Sequence, residues 1–159
     1  MSEHLEIAEG GKEAKYALLY KQIAALVEGE TDLIANMANV AAMIHETFGF
    51  LWTGFYRVCG DELVLGPFQG PLACTRIRRG KGVCGTAWDR AATIVVPDVE
   101  LFPGHIACSS SSRSEIVIPL IQNGTVTAVL DIDSDRLSTF DTTDALWLEK
   151  IAAELTNHA

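Results

Sequence analysis

The chain is short of positive charge: 12 Lys and Arg face 21 Asp and Glu, a formal charge of -9 over 159 residues. Such a field repels phosphate backbones, so nucleic acid is excluded as a partner unless basic residues cluster locally. The one cluster, Arg76, Arg78, Arg79 and Lys81, is short and lacks interleaved aromatic residues. Long apolar runs are missing too. No stretch approaches the roughly 18 uncharged apolar residues of a membrane span, so no membrane association is expected. The first twelve residues, MSEHLEIAEGGK, hold three glutamates and no apolar core, unlike a secretory signal. The expectation is a cytoplasmic protein. Among Cys59, Cys74, Cys84 and Cys108 there is no CxxC pair, which argues against a zinc site. His105-Ile-Ala-Cys108 offers two ligands without a second pair to complete them. A static disulfide framework is not expected in a reducing compartment, and inert buried thiols are the plain reading of any one cysteine.

What is present is apolar material for one core: 48% of residues are hydrophobic and no low-complexity tract interrupts them. A tail over 1–12 is expected to precede a single domain over 13–159. Tyr16, Leu19, Ile23 and Leu26 predict a helix from Glu13 to about Glu28. Thr31-Asp32 caps a second helix, with Leu33, Met37, Val40, Ala41 and Ile44 inward and Gly49 at its end. The period then changes to two. Phe50–Val58 and Glu62–Leu65 predict a hairpin around Gly60-Asp61, and Gly66–Lys81 reads mostly as loop. A short helix over Val83–Arg90, a strand over Thr93–Val96 and a long irregular stretch over Asp98–Arg113 follow. Ser114–Ile121 and Thr125–Asp133 form a second hairpin, and Thr142–Leu155 a last helix. Without repeated βαβ units this order predicts an α+β fold, an antiparallel sheet with helices gathered on one face. The apolar stripe of the first helix would permit a homodimer.

The second hairpin has two candidate registers. A three-residue loop with a bulge pairs Ile121 with Thr125 and puts Ile116, Ile118, Leu120, Val126, Ala128, Leu130 and Ile132 on one apolar face. That register is preferred, and it sets Glu115 opposite Asp131, with Asp133 further along. Opposed like charges destabilise a sheet, and close carboxyls raise one another's pKa. The trio is either a solvated acidic edge or a site for an ammonium group that keeps one acid protonated. Trp52, Gly54 and Tyr56 alternate on one face of the first strand, as the wall of a concavity or as ordinary packing.

The segment Gly70-Pro-Leu-Ala-Cys74-Thr-Arg-Ile-Arg-Arg-Gly-Lys-Gly-Val-Cys84-Gly-Thr-Ala-Trp88, with Gly104-His-Ile-Ala-Cys108-Ser and Asp131-Ile-Asp133-Ser134, resembles the free methionine-(R)-sulfoxide reductases. The resemblance runs from about Tyr16 to Leu155. It implies a GAF fold and thioredoxin-dependent reduction of the R epimer of free L-methionine sulfoxide, with no metal or organic cofactor. It implies Cys108 as the catalytic cysteine, Cys74 as the main resolving cysteine and Cys84 as a third thiol able to enter disulfide exchange. Cys59 has no counterpart. Trp52, Tyr56, Glu115, Asp131 and Asp133 match residues around the substrate. The residue chemistry agrees: thiolate is a soft nucleophile for sulfur, and an acid of raised pKa can protonate the departing oxygen. Glu115 and Asp133 are assigned to that proton, Asp131 to the substrate ammonium and Trp52 to the S-methyl group. Arg76, Arg78 and Arg79 either lower the Cys74 pKa or solvate their loop, and Ser109–Ser112 either offers backbone N–H groups to the substrate carboxylate or is a flexible polar loop. GAF folds also serve as ligand-binding sensory modules, the main rival reading, and a plain interaction domain is the other.

Overall fold

Asp32 accepts a hydrogen bond from the Ala35 N–H, and Gly49, at φ 66°, takes the left-handed turn that ends the helix between them. That helix, α2 (Leu33–Phe48), follows α1 (Lys12–Val27) in a computed structural model that describes residues 4–106 and 108–157. Residues 1–3 of the expected tail, 158–159 of the expected domain and Ala107 of the third motif lie outside the described residues. Six strands among the described residues, β1 (Trp52–Cys59), β2 (Glu62–Gln69), β3 (Arg76–Arg78), β4 (Ile94–Val96), β5 (Ser114–Gln122) and β6 (Thr125–Ser134), form one antiparallel sheet in the order β3-β2-β1-β6-β5-β4. The remaining helices are α3 (Gly82–Arg90) and α4 (Thr142–Asn157). The α+β expectation holds.

Both sheet faces are buried. Tyr16, Ile23, Met37, Ile44, Leu148 and Ile151 from α1, α2 and α4 pack on Phe55, Ile116, Ile118, Leu130 and Ile132. Across the sheet, α3 and the long loops cover Trp52, Tyr56, Leu63, Val117 and Val129. Tyr16, Leu19 and Ile23 of the α1 stripe are buried within this chain against α4 and the sheet. In the supposed tail, the Glu6 N–H donates to Gln22 and Leu5 packs on the core, fixing that segment to α1.

Two local readings are corrected. β2 runs on to Gln69 and β3 lies inside the segment read as loop. Gly66 and Pro67 stand where the β1–β2 register shifts between Gly54 and Tyr56, so the bulge accommodates the proline that lacks an N–H for the ladder. In the second hairpin, Asn123 and Gly124 both take positive φ, 53° and 78°, giving a two-residue turn with Gln122 opposite Thr125. The irregularity between Leu120 and Ile121 leaves Thr127 as an extra residue. It turns Val126 to the second cluster, against expectation, and places Glu115 opposite Asp133 rather than Asp131. The bulge restores the face parity, so all three acids still share one side.

Gly54 sits where this sheet crowds: a Cβ there would lie 2.3 Å from Phe68 Cβ and 2.6 Å from the Trp52 ring. Gly54→Ala is expected to lower stability by about 1–3 kcal/mol, read as a lowered urea midpoint at unchanged slope.

Candidate active site

Three strands carry the site. Trp52 of β1 pairs with Asp133 of β6, which pairs with Glu115 of β5, so the three side chains form a row across the sheet. One pleat along, Gly54, Asp131 and Val117 form the next row on the same face. The Trp52 ring extends over Gly54 and stacks on Phe68 at 5.2 Å and on Tyr56 at 5.9 Å. Its indole N–H donates to Pro71 O at 3.1 Å, and the Tyr56 hydroxyl donates to Cys74 O at 2.9 Å. The aromatic wall therefore also pins the loop that carries Cys74. Gly70, at φ 135°, lets this loop pass Trp52, since a Cβ there would meet Leu51 O at 2.7 Å.

The second long loop rises from a closed base: the Val99 N–H donates to Arg113 O, and the Arg113 N–H to Ser134 O at 2.7 Å. Cys108 lies on this excursion and is bonded to Cys74, with their Cα atoms 5.4 Å apart. Through Cys108 the disulfide borders a pocket lined by Trp52, Tyr56, Cys84, Glu115, Asp131 and Asp133. Cys108 itself, with His105, Ser109 and Ser112, forms the loop side of this pocket. All the residues that the sequence assigned to substrate and catalysis thus meet, apart from Cys74, which holds the rim through its disulfide. Cys59 is exposed at the far end of β1 and takes no part. Arg76 pairs with Glu62 and Arg79 with Asp89, also lying over Trp88, so these two guanidinium groups are engaged away from the disulfide.

The solvated-edge alternative fails, because Glu115 and Asp131 are only 5% and 6% exposed. Burial, then the charges of Asp131 and Asp133, push Glu115 well above the ordinary carboxyl range. Burial and Asp131 do the same to Asp133, opposed by a 2.9 Å hydrogen bond from the Ser112 hydroxyl. Asp131 is also raised by burial, but hydrogen bonds from Glu115 and Cys84 and the nearby His105 counteract it. All three acids are raised, Glu115 and Asp133 well above the ordinary range, while two hydrogen bonds and His105 oppose the burial of Asp131. Cys84, buried in α3, is a neutral thiol whose pKa is pushed up by burial and then by the three acids. His105 Nε2 lies 3.8 Å from Glu115 Oε1, yet burial lowers the imidazole pKa while that of Glu115 rises. Both shifts favour the neutral forms across this contact. Asp131 Oδ1 is buried without a hydrogen-bond partner among the described residues, an unanswered acceptor at the pocket floor.

A raised native pKa has a consequence for stability. The native state binds more protons than the unfolded chain between the two pKa values, so stability falls as pH rises through that window. Glu115→Gln removes the part of this dependence that Glu115 contributes. Its melting temperature relative to wild type is expected to be higher at pH 8 than at pH 4, by about 1.4 kcal/mol of stability per unit of pKa elevation removed.

Sequence reasoning names His105 only as a candidate metal ligand and Ser109–Ser112 only for its backbone N–H groups; it does not assign the Ser112 hydroxyl or the His105 imidazole to the pocket.

These features place the chain in a known class. A model of the GAF domain matches residues 32–158. The chain is 45% identical over 141 residues to free methionine-R-sulfoxide reductase of Escherichia coli, covering 88% of this chain and 86% of that protein. It is 57% identical over 158 residues to GAF domain-containing protein A of Dictyostelium discoideum, covering 99% and 100%. The crystal structure of free methionine-R-sulfoxide reductase from Neisseria meningitidis in complex with its substrate superimposes with a TM-score of 0.96 at 52% identity, covering 99% of this chain and 95% of that one. The chain belongs to the GAF domain family and, within it, to the free methionine-R-sulfoxide reductases.

Proposed function

We propose that the protein reduces free L-methionine (R)-S-oxide to L-methionine, with Cys108 as nucleophile, Cys74 as resolving thiol and thioredoxin as final reductant. The observation that carries this reading is the Cys74–Cys108 disulfide, whose Cys108 lines one pocket with three acids raised by burial. The substrate ammonium pairs with Asp131 and satisfies its unpartnered oxygen. Trp52 packs on the S-methyl group and Tyr56 lines the same wall. Cys108 thiolate attacks the sulfoxide sulfur while Glu115 and Asp133 bind the oxygen and protonate it. The S–O bond breaks with loss of the oxygen as water, leaving Cys108 joined to the methionine sulfur as a sulfonium. Water then attacks Cys108 Sγ, the new S–S bond breaks, methionine leaves, and Cys108 is left as a sulfenic acid. The Cys74 thiol displaces that oxygen as water and forms the disulfide, which dithiol exchange reopens. Electrons balance: two thiols are oxidised for each sulfoxide reduced. Cys84 enters exchange only after leaving Asp131 and the buried face of α3, so its part is subsidiary.

Specificity for a free amino acid rests on Asp131, because a peptide-bound residue has no ammonium to answer a buried carboxylate. Single turnover tests the scheme. Fully reduced protein mixed with one equivalent of the R epimer is expected to yield one methionine and one Cys74–Cys108 disulfide by peptide mapping. Methionine formed while both thiols stay free would contradict it.

A further inference from the structure

We propose that the same pocket binds a thiophilic divalent cation, Zn2+ or Cd2+, on Cys84 Sγ and on carboxylate oxygens of Glu115 and Asp131, and that this ion blocks substrate entry. It acts as an inhibitor and has no part in the reduction. The three donor atoms lie within 4.8 Å of one another, and all three residues are buried. Independently of that grouping, Asp131, a pocket-lining residue 6% exposed, buries its Oδ1 with no hydrogen-bond partner among the described residues. A cation answers that acceptor directly.

The donor set selects the metal. Sulfur with two carboxylate oxygens suits a borderline-soft ion, whereas Mg2+ and Ca2+ require six or more oxygens. Around tetrahedral zinc, with legs of about 2.0–2.3 Å, neighbouring donors stand roughly 3.3–3.8 Å apart. Donors within 4.8 Å of one another close to this with side-chain shifts of about one ångström. All three residues line the pocket, so an ion held there competes with substrate for the same space. Cys74 and Cys108 are bonded to each other in this state and are not donors, which leaves Cys84 as the thiol of the site. Binding replaces the S–H bond of Cys84 by an S–metal bond and releases that proton, along with the proton that Glu115 holds.

The test is a Cd2+ titration of the oxidised, metal-free protein, followed by the sulfur-to-cadmium charge-transfer absorbance. One Cd2+ per chain with that band is expected for wild type and for Cys59→Ser, and no band for Cys84→Ala. Asp131→Asn, a near-isosteric change that guards against a misfolded Cys84→Ala, is expected to weaken Cd2+ binding at least about tenfold. Zn2+ is expected to raise the KM for free methionine sulfoxide at unchanged kcat. A band that survives in Cys84→Ala, a band lost in Cys59→Ser, or no band in wild type would overturn the proposal. The reductase reading is separable, since it predicts full turnover in the presence of a chelator whether or not Cd2+ binds.

Discussion

Cys108→Ser is expected to reduce turnover of methionine sulfoxide at least about a thousandfold, to the background of the coupled assay. A serine hydroxyl stays protonated near neutral pH and is a poor nucleophile toward sulfur. No sulfenic acid forms, and loss of a covalent nucleophile removes the whole pathway rather than one increment of it. Cys74→Ser should behave differently. It retains the attacking thiol and the acids, so a burst of one methionine per chain is expected, followed by arrest when thioredoxin is the reductant. A small dithiol in place of thioredoxin should restore turnover, because it attacks the sulfenic acid without a resolving cysteine. Rapid-quench measurement of methionine against enzyme concentration reads both outcomes. Steady turnover by Cys108→Ser would refute its role as nucleophile.

Glu115→Gln and Asp133→Asn are each expected to lower kcat by about a hundredfold to ten-thousandfold, the range of a lost general acid. The effect should fall on kcat more than on KM, because the proton is needed as the S–O bond breaks. Asp131→Asn gives a diagnostic pH profile. The Asp131 charge helps to raise both neighbouring acids, so removing it lowers their pKa values. An acid must be protonated to donate, so the alkaline limb of kcat moves to lower pH. The same substitution raises KM by removing the partner of the substrate ammonium. An unchanged limb in Asp131→Asn would place the proton donor elsewhere.

The helices and the face of each strand were legible because their signals are local. Asp32 and Gly49 bracket α2 through one cap hydrogen bond and one left-handed residue. The hairpin register was legible only in parity. Side-chain alternation identifies which residues share a face, but not how far two strands have slid in steps of two. The bulge at Thr127 inserts one residue that no short-range pattern announces, and it exchanged Asp133 for Asp131 opposite Glu115. Likewise β2 crosses Gly66-Pro67 because a bulge against Phe55 tolerates them, a fact of pairing rather than of propensity. Within the site, the acids could be grouped from alternation alone. Their burial could not, since it depends on α3 and two loops folding over the second sheet face. Ser112 and His105 reach the acids only through the path of the Cys108 loop.

The most direct test of the central claim follows NADPH consumption with thioredoxin, thioredoxin reductase and separate R and S epimers of free methionine sulfoxide, with a peptide-bound sulfoxide alongside. Turnover of the free R epimer, with neither the S epimer nor the peptide consumed above background, is the predicted result. No turnover of the free R epimer by folded, fully reduced protein would contradict the account and favour a ligand-sensing role for the pocket.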